Sequence, residues 1–151
     1  MKQVTKEIKK YKLTNEAIEF CGIKLHRIQA LVDFSDVKAG EFGGWVEREE
    51  NLSQDGKAWI YDGAMVYGNT RVYGNAMVFG TAMVYGDAEV FGDARVYGNA
   101  RVFGNARVFG DAVVCDNAKV CGNAEVCGNA MVCGNALVMG NAKVGDKSIV
   151  R

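Results

Sequence analysis

The chain has 151 residues, enough for one compact domain or for a short domain feeding a repeat array. Its 18 basic and 18 acidic side chains cancel, removing the global field that would draw it to nucleic acid or to an acidic membrane. No run of about 18 apolar residues is available to span a bilayer; the opening MKQVTKEIKKYK has charge but no apolar segment behind it, so no signal peptide and a cytoplasmic location are expected.

Residues 1–57 form the first unit, a small N-terminal β cap with an irregular first coil. Residues 11–20 and 23–34 read as two strands joined at Cys21 and Gly22, with Ile28, Ala30, Val32 and Phe34 alternating on one face. Next, Gly44-Trp45-Val46 has the small–x–aliphatic phrasing of the repeat that follows, and Leu52 lies six residues after Val46. Ile60 lies eight after Leu52, which places a two-residue insertion in this coil. A solenoid needs such a cap to cover its core and its unpaired strand edge.

Residues 58–151 form the second unit. From Ala58-Trp59-Ile60-Tyr61-Asp62-Gly63 the chain repeats small–x–aliphatic–bulky–Gly–Asn/Asp, with fifteen complete hexads to Lys147 and no insertion. The aliphatic phase is Ile60 and then Val from Val66 to Val150; the small phase is Ala apart from Thr70 and Ser148. A β-branched residue at fixed phase favours strand. Alternation places Ala and Val inside and x outside, and Gly-Asn/Asp turns the chain at positive φ. Three sides close a coil of eighteen residues, so about five coils stack at ~4.8 Å into an all-β, three-sided parallel β-helix.

The pattern alone does not fix the hand, since parallel crossovers are normally right-handed. However, aliphatic at i, small at i+4 and often Asn at i+3 resembles the hexapeptide-repeat superfamily, and the resemblance implies left-handed coils. LHRIQALVDF followed by VKAGEFGGWVEREENLSQDGKAWIYD resembles the opening of short bacterial and phage or prophage proteins of the YdcK-like group. That implies a bacterial or phage setting without naming a reaction. The best-known members of the superfamily are acyltransferases, typically trimers with active sites between neighbouring rods. For this chain, that would imply a catalytic histidine on the coils and a loop protruding from them. It departs on both counts, because its one histidine, His26, lies in the N-terminal strand region and the coils carry no insertion.

Outward positions recur every eighteen residues and sort into three faces. The first carries Trp59, Met77, Arg95, Val113, Met131 and Ile149; the second carries Met65, Met83, Arg101, Lys119 and Leu137. Both are unusually apolar for water-facing strands and are the candidate interaction faces. The third, with Arg71, Glu89, Arg107, Glu125 and Lys143, alternates in sign as a solvated ladder of ion pairs would. The residues after each Val form corner ladders beginning Tyr61-Phe79-Tyr97, Tyr67-Tyr85-Phe103 and Tyr73-Phe91-Phe109, read as structural stacks, with a ligand-binding aromatic track as the alternative.

Four of the five cysteines lie in the repeat at one phase, as repeat substitutions and not as a disulfide framework. Successive ones fall on different corners, roughly 15 Å apart for a side of ~5 residues. Only Cys115 and Cys133 stack, so no metal site is expected. Arg95, Arg101 and Arg107 point about 120° apart, a ring around the rod and not a phosphate-binding patch. No catalytic residue and no cofactor are assigned. The expected function is a non-catalytic scaffold or protein-binding module that associates with itself as a dimer or trimer. The alternatives are a phage effector that binds and inhibits a host defence protein, and an acyltransferase-like enzyme.

Overall fold

In the computed structural model, which describes residues 8–151, each hexad forms one side of a three-sided coil. Residues 1–7 of the segment read for targeting signals lie outside the described residues. Regular strand is confined to the x–aliphatic pair, and each pair lies in parallel register on the pair eighteen residues on, as Met83 on Arg101 and Arg101 on Lys119. The first face is a six-stranded sheet and the third a five-stranded one, which Leu52 extends by a bridge to Val72. The second face continues into the N-terminal strands as an eight-stranded sheet. The rod has about six turns, one more than the hexads alone supply, because the irregular first coil adds a layer.

The core is the inner column of Ala and Val. Every residue of the aliphatic phase from Ile60 to Val132 is fully buried. Rungs are tied along the axis: the N–H groups of Arg101, Phe103 and Asn105 donate to the carbonyls of Ala118, Val120 and Gly122 at 3.0, 2.9 and 2.7 Å. At the corners the chain turns through positive φ, with Gly104 at 68°, and here the rungs pass so closely that a Cβ on Gly104 would lie 2.9 Å from the nitrogen of Gly122. Where Asp62 stands in the glycine phase, Gly63 takes the positive φ instead, at 95°.

The N-terminal region builds on the second face. Strands β1 (Tyr11–Phe20) and β2 (Ile23–Ala30) pair antiparallel, joined by Cys21 and Gly22 at φ of 53° and 80°, the two positive-φ residues of a tight hairpin turn. Strand β3 (Phe42–Val46) lies antiparallel to β2 and parallel to the rung of Met65 and Val66. The pairs Trp45 with Met65 and Leu52 with Val72 are twenty residues apart in sequence, not eighteen, and the two extra residues fall between Leu52 and Ile60. At the end of a 3₁₀ turn (Glu49–Asn51), the buried Asn51 amide satisfies four backbone groups. It accepts from the N–H groups of Glu47 and Arg48 and donates to the carbonyls of Gly68 and Thr70.

Strand β2 stops at Ala30, four residues short of the expected end. Phe34 instead exchanges backbone hydrogen bonds with Val37 across Ser35, whose φ is 50°. That tight loop turns Phe34 onto Trp59, with ring centroids 5.2 Å apart. The start of β1 is clamped to the rod. The buried Lys10 ammonium donates to Ala58 O at 2.7 Å, and Gln54 bridges the N–H and carbonyl of Tyr11. Burial lowers the Lys10 pKa to about 8. No described helix is long and apolar enough to cross a membrane.

Candidate functional site: the outward faces

Each outward side chain stands on a flat rung, so its exposure depends on what lies alongside it. On the second face Met65 and Met83 are half-buried, while Arg101, Lys119 and Leu137 are exposed, Leu137 at 55%. On the first face Met77 and Val113 are half-buried and Arg95, Met131 and Ile149 exposed. Trp59 departs from its expected role. It is only 1% accessible, because Tyr11 and Phe34 pack edge-on against its ring. Local alternation points Trp59 outward as read, but the loop after β2 covers it, so it belongs to the core and not to a free face.

The third face carries part of the expected ladder. Arg107 Nε lies 3.4 Å from Glu89 Oε1, and Lys143 Nζ lies 3.9 Å from Glu125 Oε1. Arg71, in register with Glu89, forms no ion pair among the described residues, because Glu89 is turned to Arg107.

The corner aromatics stack as read. Tyr67–Tyr85, Tyr85–Phe103, Tyr73–Phe91, Phe91–Phe109 and Phe79–Tyr97 have centroids 4.7 to 5.1 Å apart and rings within 6° of parallel. Tyr61 alone is tilted, at 78° to Phe79; its hydroxyl donates to Asp36 Oδ1 at 2.8 Å. Burial, and then the Asp36 hydrogen bond, push the Tyr61 pKa up to about 12.

A second set of ladders lies beside the aromatic ones. The Asn residues that follow each Gly pass their amides up the stack, with Asn99 to Asn117 at 3.2 Å and Asn105 to Asn123 at 3.2 Å. Asn69 and Asn75 donate instead to Asp87 and Asp93, both at 3.1 Å. In the sequence the Asn/Asp phase signals only a turn; its eighteen-residue recurrence is the clue to these ladders.

His26 pairs with Ala17 and Val46 in the hairpin sheet, and its Nδ1 lies 3.2 Å from the Thr14 carbonyl. All five cysteines are free, and Cys115 is buried, which raises its thiol pKa. Among the described residues, no three His, Cys, Asp or Glu side chains come together to hold a metal ion.

A family profile described as the YdcK β-solenoid repeat matches residues 71–86, 94–104 and 100–116. Over 63 residues the chain is 41% identical to a protein of Escherichia coli (strain K12) named "Uncharacterized acetyltransferase YdcK". The match covers 36% of this chain and only 19% of that protein.

Proposed function

We propose, from the premise that the chain is a YdcK-like hexapeptide-repeat solenoid, that it is a non-catalytic scaffold. On this reading it works in the cytoplasm and binds protein, first of all other copies of itself, through its first and second faces. The observation that carries the reading is the segregation of outward side chains. The third face pairs Glu89 with Arg107 and Glu125 with Lys143 within itself, whereas the first carries Met77, Val113 and Met131 and the second Met65, Met83 and Leu137, apolar side chains that stay half-buried or exposed on the outside of the rod.

Area favours the use of both faces. Six rungs at ~4.8 Å and a side of ~15 Å give each face on the order of 400 Å², about half of what one partner contributes to a standard interface. A closed trimer engages both faces of every chain, on the order of 800 Å² per chain divided between two neighbours. Light scattering should return a mass well above the 16.4 kDa chain, and Met77→Glu with Met83→Glu should lower it. A monodisperse monomer at tens of micromolar would overturn self-association and leave these faces to a different protein, as the effector reading requires.

The name of the Escherichia coli relative favours a second reading, acetyl transfer. Calorimetry with acetyl-CoA tests it. Saturable binding, with transfer lost in His26→Ala, would replace the scaffold reading.

A further inference from the structure

The three aromatic ladders end differently toward the N-terminal side. The second is closed by Phe20, which packs edge-on against Tyr67 at 6.0 Å. The first ends at Tyr61, tilted and held by Asp36 from the loop after β2. The third ends at Tyr73, stacked on Phe91 at 4.8 Å with an interplanar angle of 2°, and among the described residues no aromatic ring covers its other side. A cavity of about 530 Å³ lies there, lined by Tyr73, Arg71, Val72, Ser53 and Glu50.

That cavity exists because the first coil is irregular. On the third face Leu52 contributes only a bridge to Val72, and the 3₁₀ turn (Glu49–Asn51) stands where a regular rung would lie. A second cavity, of about 410 Å³, shares Arg71 and Glu50 and extends to Arg48, Asn69 and Thr70. Arg71 therefore stands between the two, its guanidinium in no ion pair among the described residues, while Arg48 is held by Glu47 at 3.3 Å.

We propose that this notch binds a small molecule that combines a flat unsaturated ring with one anionic group. The ring stacks on Tyr73 as the next rung of the ladder, and the carboxylate or phosphate takes the planar fork of Arg71. Stacking on Tyr73 repeats the contact that Phe91 makes on its other face, the kind of ring-on-ring contact by which aromatic side chains hold flat bases. Glu50 lines both cavities and repels the anion, so it selects for a ligand whose ring also carries a donor, such as an N–H, for its carboxylate.

Two sources share this chemistry, an aromatic carboxylate and a nucleoside monophosphate. Ligand-observed NMR with the full chain, using indole-3-acetate, uridine 5′-monophosphate, uncharged indole and inorganic phosphate as separate probes, distinguishes them. At least one anionic ring should bind saturably, with its ring protons shifted upfield by the Tyr73 ring. Indole should bind more weakly, and phosphate should not compete at equal concentration. Arg71→Gln should weaken the anionic probe about tenfold and leave indole unchanged; Glu50→Gln should tighten the anionic probe. Tyr73→Leu should abolish the upfield shift and Tyr73→Phe should retain it. Phe91→Leu, one rung below, controls for loss of the stack itself, and circular dichroism checks folding of each variant. Absence of saturation by both anionic rings at about 10 mM, an unchanged upfield shift in Tyr73→Leu, or equal binding of inorganic phosphate would overturn the proposal.

Discussion

Substituting Gly104 by alanine isolates the closest approach in the rod. Gly104 sits at φ 68°, and an added Cβ would lie 2.9 Å from Gly122 N and 3.2 Å from its carbonyl oxygen, both backbone atoms that cannot swing away. The left-handed conformation costs alanine roughly 1–2 kcal/mol. Relieving the contact by parting two hydrogen-bonded rungs adds about 1–3 kcal/mol, the usual range for overpacking. Loss of glycine's freedom in the unfolded chain returns about 0.4–1 kcal/mol. The net expectation for Gly104→Ala is a loss of about 1–4.5 kcal/mol, read as a lower midpoint in urea unfolding. Gly140 has nearly the same φ, 65°, with nothing within 4 Å of its added Cβ, so Gly140→Ala should cost no more than about 1.5 kcal/mol. If Gly104→Ala unfolds within about 0.5 kcal/mol of the parent, the reasoning that rung contact and not φ alone selects glycine fails.

Val102 is fully buried between Val84 and Val120. Val102→Asp should therefore yield no folded protein, because an unpaired carboxylate would enter a dry column; a soluble variant with unchanged melting would contradict the core assignment. Lys10 has a folded pKa of about 8 against its ordinary 10.5, so between these values the unfolded chain binds more protons and stability should rise with pH. Tyr11 and Tyr61 are shifted upward, so above pH ~10 the folded chain binds more protons and stability should fall. Denaturant midpoints measured from pH 7 to 11.5 should therefore peak near pH ~10, and Lys10→Met should flatten the rising limb; a steady decline from pH 8 would refute this assignment. Glu89→Gln removes the partner of a 55% exposed Arg107 side chain, and a loss above about 1 kcal/mol would be inconsistent with a solvated pair.

The rod was legible because one short rule governs each rung. A β-branched residue at every sixth position is unambiguous, and Val66 to Val132 lie where the rule puts them. The N-terminal region follows no single rule, and there the apolar alternation predicts a second strand through Val32 to Phe34, past its end at Ala30. The alternation of apolar residues continues through that stretch, but Ser35 at positive φ turns it into a loop, which local pattern does not reveal. The same loop removed Trp59 from the outer face: its neighbours in sequence say outward, and only the path of residues 31–40 says covered. The open notch over Tyr73 was illegible for a related reason. It depends on how far the first coil falls short of a regular one, and Leu52 and Asn51 disclose that only once their partners on the next coil are known.

The Lys10, Tyr11 and Gln54 contacts join residues more than forty positions apart in sequence. Along the rest of the rod, each coil is bonded only to the coil before and the coil after it. Under tension these two kinds of attachment respond differently. A force along the axis would peel regular coils one at a time, breaking a few rung bonds per step. The clamp must release several hydrogen bonds and the Trp59 packing together. A pulling trace on this chain should therefore show a series of small, evenly spaced extensions, with one higher peak where the N-terminal strands come away.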